Sequence, residues 1–187
     1  MNLFFKNVIE DIENYNTIKQ IYNEAFPINE RFPINYLYKK ANNKDVNFNS
    51  VYDNDKLIGI IYTISKDNLL FILYFAVNNA YRGKGYGSKI LEFLKQKYNA
   101  YTILLEIEQL DKNANNYNQR LKRKAFYEKN GFYDTNKLLS EGKNTFEIMT
   151  TNPNINLTKD LFIGIFRKMF TGFSSIFVPF FIRLSNK

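Results

Sequence analysis

The chain of 187 residues contains no cysteine, no histidine and no tryptophan. Without cysteine there are no disulfides and no thiolate metal sites. Without histidine there is no Ser-His-Asp triad, no imidazole metal ligand and no imidazole base. Acid–base chemistry must therefore fall to Asp, Glu, Tyr, Lys, water or a terminus. Long apolar runs are scarce as well. The start, MNLFFKNVIEDIE, lacks the apolar stretch of a signal peptide, so a cytoplasmic location is expected.

What is present suits one globular domain. Hydrophobic residues make up 45% of the chain and aromatics 17%, so Phe and Tyr must fill the core. The net charge of +8 suits a polyanionic ligand such as a nucleotide cofactor, and equally an anionic surface or a solvated lysine face. Residues 152–187 carry five basic residues against the single Asp160.

Periodicity and turn residues predict the elements. Asn2–Val8 reads as a strand and Glu10–Phe26 as a helix, and after the breaks at Pro27 and Pro33 a short helix follows over Pro33–Ala41. Val46–Tyr52, Leu57–Ser65 and Leu69–Val77 read as strands, the last two as a hairpin. A glycine loop leads into a helix over Tyr86–Tyr98, then a strand over Thr102–Ile107. A helix over Tyr117–Asn130 ends at Gly131. Phe132–Asn136 and Thr145–Thr150 read as a closing strand pair. The order implies an α/β (α+β) fold with a mixed sheet.

The chemistry-bearing stretch is Phe75-Ala76-Val77-Asn78-Asn79-Ala80-Tyr81-Arg82-Gly83-Lys84-Gly85-Tyr86-Gly87-Ser88. A strand enters a three-glycine loop that opens a helix. Glycines permit positive φ and close backbone approach, and the free N–H groups at the helix start attract an anion. Arg82 and Lys84 add formal charge. No Gly-Lys-Ser/Thr follows four residues after a glycine, so this is no Walker A loop, and GxGxxG is absent. A plain turn with convenient glycines is the competing reading.

Arg82-x-x-Gly85-x-Gly87 resembles the Gln/Arg-x-x-Gly-x-Gly/Ala signature of the GNAT family of N-acetyltransferases. Phe75-Ala76-Val77 resembles that family's fourth strand. Ala125-Phe126-Tyr127-Glu128-Lys129-Asn130-Gly131-Phe132 resembles its Ala-x-x-Tyr-x-x-x-Gly-Phe block. The resemblance covers about residues 1–151 and implies a mostly antiparallel sheet of about seven strands flanked by helices. Residues 152–187 then form an apolar, basic helical tail packed on the domain or at an interface.

The resemblance also implies a set of roles. Backbone N–H groups of Arg82, Gly83, Lys84, Gly85, Tyr86, Gly87 and Ser88 would hold the pyrophosphate of acetyl-coenzyme A, used as co-substrate with no metal. The main chain at Phe75 and Val77 would pair with the pantetheine arm. Glu106 would be the general base and Tyr127 the general acid. Glu108 shares a strand face with Glu106 by alternation and is the lesser candidate. The family's pantetheine-binding Asn is replaced by Arg120, inside the basic run Asn118–Lys124, which is read either as a wet helix face or as a 3′-phosphate contact.

The implied activity is acetyl transfer from acetyl-coenzyme A to a primary amine of a small molecule or peptide. Phe26-Pro27-x-x-Glu30-Arg31 resembles a pattern in a bacterial subgroup of the family. Glu24 and Glu30 there suit either a cationic amine or local capping. The tail suits docking on the domain, a second subunit as in a homodimer, or a membrane surface. Arg167 and Lys168 interrupt its apolar run, so a spanning helix is not expected. A non-catalytic module binding coenzyme A or an anionic surface is the alternative. Nucleic acid is not the expected partner.

Overall fold

The computed structural model describes residues 2–170 and 172–187. It divides into two compact units. One comprises Met1–Ser65 with Ile72–Asn99, and the other Lys66–Phe71 with Ala100–Lys187.

The first unit holds β1 (Leu3–Asn7), β2 (Val46–Asp53), β3 (Lys56–Lys66, as far as Ser65) and β4 (Leu69–Val77, from Ile72), in the order β1-β2-β3-β4. β1 pairs antiparallel with β2, placing Phe4 opposite Tyr52, and β2 pairs antiparallel with β3, placing Phe48 opposite Tyr62. Residues 58–64 of β3 are buried without a break, so both of its faces are covered. Asn54 turns β2 into β3 at a φ of 53°, a conformation that Asn tolerates.

The helices of this unit are α1 (Tyr15–Ala25), α2 (Ile34–Lys40) and α3 (Tyr86–Lys97). The expected helix from Glu10 starts later, after a 3-10 turn at Ile12–Asn14. The cause is Asp11, which is fully buried. Its carboxylate accepts hydrogen bonds from Ser50 Oγ (2.5 Å), Tyr52 OH (2.7 Å), Asn14 Nδ2 (3.0 Å) and Lys6 Nζ (3.0 Å). Those bonds tie the chain to β2 and postpone regular helix until Tyr15.

The second unit holds β5 (Thr102–Glu108), α4 (Tyr117–Lys129), β6 (Tyr133–Glu141), β7 (Asn144–Thr150), α5 (Lys159–Phe166), α6 (Val178–Phe181) and β8 (Ile182–Asn186). Its strands run β5-β7-β6-β8, and each adjacent pair is antiparallel. Phe71 packs edge-on against Phe162 and Phe166 of α5, with centroids 6.3 and 5.7 Å apart. The eight described strands and six helices make a mixed, mostly antiparallel α/β fold.

Two segments differ from expectation. β6 continues past Asn136 to Glu141. Asn136 sits at a φ of 55° in a register irregularity between Asp134 and Leu138, and pairing then resumes. The far end of the 152–187 tail is a strand rather than a helix. Ile182-Arg183-Leu184-Ser185 alternates apolar and polar residues at strand period, and β8 lies along β6 with Ile182 opposite Glu141 and Leu184 opposite Leu139. This pairing covers an edge that would otherwise present bare N–H and C=O groups. Among the described residues no helix is long and apolar enough to cross a membrane.

Candidate functional site

In the first unit, β4 ends at Val77 and the chain turns through a 3-10 segment (Asn79–Tyr81) into the glycine loop. Asn78 organises this exit. Its N–H donates to Ile58 C=O (2.8 Å), and its Oδ1 accepts from Ala80 N–H (3.1 Å). Beside it, β3 and β4 approach closely at Gly59. A Cβ there would lie 2.5 Å from Ala76 O. Phe75 and Val77 are half-buried and alternate with buried Ala76.

Gly83 and Gly85 adopt φ of 75° and 81°, the left-handed region that glycine enters without a Cβ penalty. Gly85 is the N-cap of α3. The first intrahelical bond of α3 runs from Lys89 N–H to Gly85 C=O at 3.3 Å. The N–H groups of Tyr86, Gly87 and Ser88 therefore precede the helical ladder and carry the positive end of the helix dipole. Arg82 and Lys84 are exposed. Arg82 Nε donates to Val77 C=O (3.0 Å), and Lys84 Nζ donates to Ala80 C=O (2.9 Å) and lies 5.4 Å from the Tyr81 ring. Both cations are thus held along the loop. Six consecutive residues from Gly83 to Ser88 offer backbone donors beside the fixed cations of Arg82 and Lys84 and no side-chain carboxylate, a donor set that fits a pyrophosphate, whereas the Arg82 N–H is already bonded to Asn79 C=O (3.3 Å).

Side chains outside the loop brace it. Tyr86 OH donates to Asp53 Oδ2 (2.8 Å), which holds the Asp53 carboxyl below its ordinary range and pushes the Tyr86 phenol up. Asn79 Nδ2 donates to Glu24 Oε2 (2.7 Å), and Glu24 also accepts from Gln20 (2.8 Å). Glu24 therefore serves local structure. The Glu30 main-chain carbonyl accepts from Tyr74 OH (2.8 Å).

The second unit contains the acid–base candidates. Glu106 stands on β5 opposite Ile148 of β7. Tyr127 is buried on α4, its ring 5.2 Å from Phe126 and 5.7 Å from Phe132. Burial pushes its phenol up to about 12, so it carries a proton at neutral pH. Glu108 is engaged elsewhere. It forms ion pairs with Arg123 and Arg120 (3.5 Å) and accepts from Asn116 Nδ2 (2.9 Å).

Those contacts also resolve the basic run. Arg120 donates to Asn116 Oδ1 (2.7 Å) and to Gln109 C=O (2.6 Å), so it braces the end of β5. Lys124 pairs with Asp134 and with Glu147 (3.1 Å), and Lys187 reaches the same two carboxylates. Arg120, Arg123 and Lys124 are ion-paired within the unit, while Asn118, Gln119, Leu121, Lys122 and Arg123 of the same run lie exposed on the helix.

Glu141 escaped the sequence reading because β6 was expected to end at Asn136. It stands near the end of β6, opposite Asn144 of β7 and Ile182 of β8. Burial pushes its carboxyl up to about 7. The signal that could have found it is the turn Glu141-Gly142-Lys143-Asn144. Gly142 at a φ of 61° marks a hairpin, which requires β6 to run up to it.

The sequence profile of the family described as "Acetyltransferase (GNAT) domain" matches residues 44–134. A search of curated proteins finds no match. Solved structures share the fold. A protein described as a GNAT-family acetyltransferase from Bacteroides thetaiotaomicron superposes with a TM-score of 0.68 at 23% identity, over 86% of this chain and 90% of that one. The ribosomal-protein-S18-alanine N-acetyltransferase from Escherichia coli gives 0.59 at 17%, over 83% and 100%. An aminoglycoside 6′-N-acetyltransferase complexed with coenzyme A gives 0.62 at 14%, over 84% and 100%. Residues 44–134 thus match the GNAT acetyltransferase domain, and the fold of GNAT acetyltransferases extends over most of the chain.

Proposed function

We propose that the protein transfers an acetyl group from acetyl-coenzyme A to a primary amine by direct attack. The observation that carries this reading is the Arg82–Ser88 loop, with two left-handed glycines opening onto the N-terminus of α3. In this reading the loop N–H groups bind the pyrophosphate, and Arg82 and Lys84 add field strength. The half-buried main chain at Phe75 and Val77 pairs with the pantetheine arm.

Glu106 takes a proton from the acceptor amine. The amine nitrogen then bonds to the thioester carbonyl carbon, and the carbon–sulfur bond breaks. Tyr127 gives its proton to the leaving thiolate. Its burial suits this role, because a phenol held up to about 12 stays protonated until a strong base appears beside it. The names of the structural relatives support an amine acceptor, since one acts on a ribosomal-protein alanine and another on aminoglycosides. The acceptor class is a small molecule or peptide bearing a primary amine.

Free-thiol release from acetyl-coenzyme A across a panel of polyamines, aminoglycosides and peptide N-termini tests the reading. Turnover on at least one acceptor is expected. Glu106→Gln should lower kcat by ~10²–10⁴-fold, with cofactor binding retained. Tyr127→Phe should also lower kcat with binding retained. Unchanged kcat in either variant contradicts that residue's role.

A further inference from the structure

The tail carries an apolar surface that the proposed transfer chemistry does not use. Ile176, Phe177, Phe180 and Phe181 are 57%, 42%, 77% and 58% exposed. Single exposed apolar residues are ordinary on a protein surface, but four within so short a segment form a patch.

The local fold keeps this patch outside. A 3-10 segment (Gly172–Phe177) runs into α6, with Pro179 near the helix start. At helical spacing Ile176 and Phe180 lie one turn apart on the same side, and so do Phe177 and Phe181. Val178 and Ile182, also one turn apart, take the opposite side, and each is only 3% exposed. The backbone is held as well. Gly142 N–H donates to Phe181 C=O (3.1 Å), and Ile182 pairs opposite Glu141. Anchored on its aliphatic side, the segment turns its aromatic side outward.

The charge around the patch has one sign. Residues 161–187 contain no Asp or Glu. Arg183 is exposed and, by strand alternation, lies on the same side of the chain as Phe181. The exposed Lys143 follows Gly142 in the turn that is bonded to Phe181. Arg167 is exposed at the end of α5, which packs against α6. Glu141 shares the buried side of Ile182, with its Oε1 shielded from solvent.

An aromatic ridge rimmed by cations is complementary to a bilayer with anionic headgroups. The rings enter the boundary of the acyl chains while the cations stay at headgroup level. A second copy of the chain fits less well. It would set the same cations against each other, and the segment has no carboxylate to answer them.

We propose that Ile176, Phe177, Phe180 and Phe181, with Arg183 and Lys143 at their rim, form a docking site for a membrane surface rich in anionic phospholipid. The contact lies along the surface, since among the described residues no helix is long and apolar enough to cross a membrane. The site uses none of the residues assigned to acetyl transfer and stands whether or not that assignment holds.

Co-sedimentation of the full chain with vesicles tests the proposal. Vesicles of phosphatidylglycerol and phosphatidylcholine in equal parts should bind the protein at low salt, and vesicles of phosphatidylcholine alone should bind it far less. Added salt should release part of the bound protein, because it screens the headgroup charge. Phe180→Ser should weaken binding about tenfold or more, and Arg183→Gln about fivefold. Both side chains are exposed, so the thermal midpoints should stay where they are, and Phe181→Ser repeats the apolar test if Phe180→Ser fails to fold. No binding to the anionic vesicles would overturn the proposal. Equal binding to the two vesicle types would do so too, as would full binding by the serine variant. Light scattering without vesicles checks the other occupant. A dimer that Phe180→Ser dissociates, in a protein that ignores vesicles, would assign the patch to a second copy and overturn the proposal.

Discussion

A single residue, Gly85, separates binding from folding most cleanly. It sits at a φ of 81°, and an added Cβ would meet nothing within 4 Å. Gly85→Ala therefore costs only backbone strain, about 1–2 kcal/mol. Relief of that strain would turn the loop N–H groups away from a common point. Acetyl-coenzyme A affinity should fall about tenfold, with a thermal midpoint changed by only a few degrees. Gly59→Ala should do the opposite. Its Cβ would press into Ala76 O on the neighbouring strand, so the midpoint should fall clearly as β3 and β4 are forced apart. Calorimetric titration and thermal scans on both variants separate the two effects. The glycines were legible as a loop from their spacing. Gly59 was not, because its necessity comes from the approach of another strand.

At the scale of elements, one buried carboxylate governs the start of α1. Desolvation alone would raise the Asp11 pKa, yet bonds from Ser50, Tyr52, Asn14 and Lys6 outweigh it and hold the group below its ordinary value. Asp11→Ala would take the acceptor from the buried Tyr52 hydroxyl and leave Ser50 Oγ only the Lys6 carbonyl and Lys6 Nζ only Glu13. The expected loss is on the order of 3 kcal/mol, read by urea unfolding. An unchanged midpoint would contradict this account. Helical periodicity carried no trace of the delayed helix start, because Asp11 answers to β2 rather than to its own helix. The same holds for the tail. The tail was expected to be helical, as α5 is, but the strand at Ile182–Asn186 depends on the open edge of β6. Deletion of residues 182–187 should lower the thermal midpoint by several degrees, since it removes a strand pairing and the Lys187 bonds to Asp134 and Glu147.

For the whole molecule, the titrating groups predict how stability varies with pH. Burial works against the Asp134 carboxylate, but its bonds from Lys124 and Lys187 bring it down from 3.8 to about 2. Its contribution is present above 3.8 and disappears as pH falls through about 2. Glu141 has the reverse sign. Its folded value of about 7 lies above its ordinary 4.5, so the folded state holds a proton that the unfolded chain has lost. That contribution is complete below 4.5 and disappears as pH rises through about 7. The thermal midpoint should therefore be higher near pH 5 than near pH 8. Glu141→Gln should flatten the difference, and an equally steep fall in the variant would contradict the assignment.

The fold class, the order of elements as far as β7 and the glycine loop were legible in the sequence, because each rests on local pattern: strand alternation, helical periodicity and glycine spacing. The fate of the charged side chains was not. Glu108 read as a lesser base candidate, and Arg120 and Lys124 as a wet face or a phosphate contact, and the ion pairs between α4 and the strands depend on tertiary placement. Glu141 was hidden by the irregularity at Asn136, where local signals end a strand that tertiary pairing resumes.

The central claim is that the Arg82–Ser88 loop binds the pyrophosphate of acetyl-coenzyme A. Isothermal titration of the full chain with acetyl-coenzyme A, repeated with Gly85→Ala, measures this directly. A saturable one-to-one heat that weakens about tenfold in the variant is the predicted result. Absence of any binding heat at millimolar cofactor, or equal affinity in the two proteins, would contradict it.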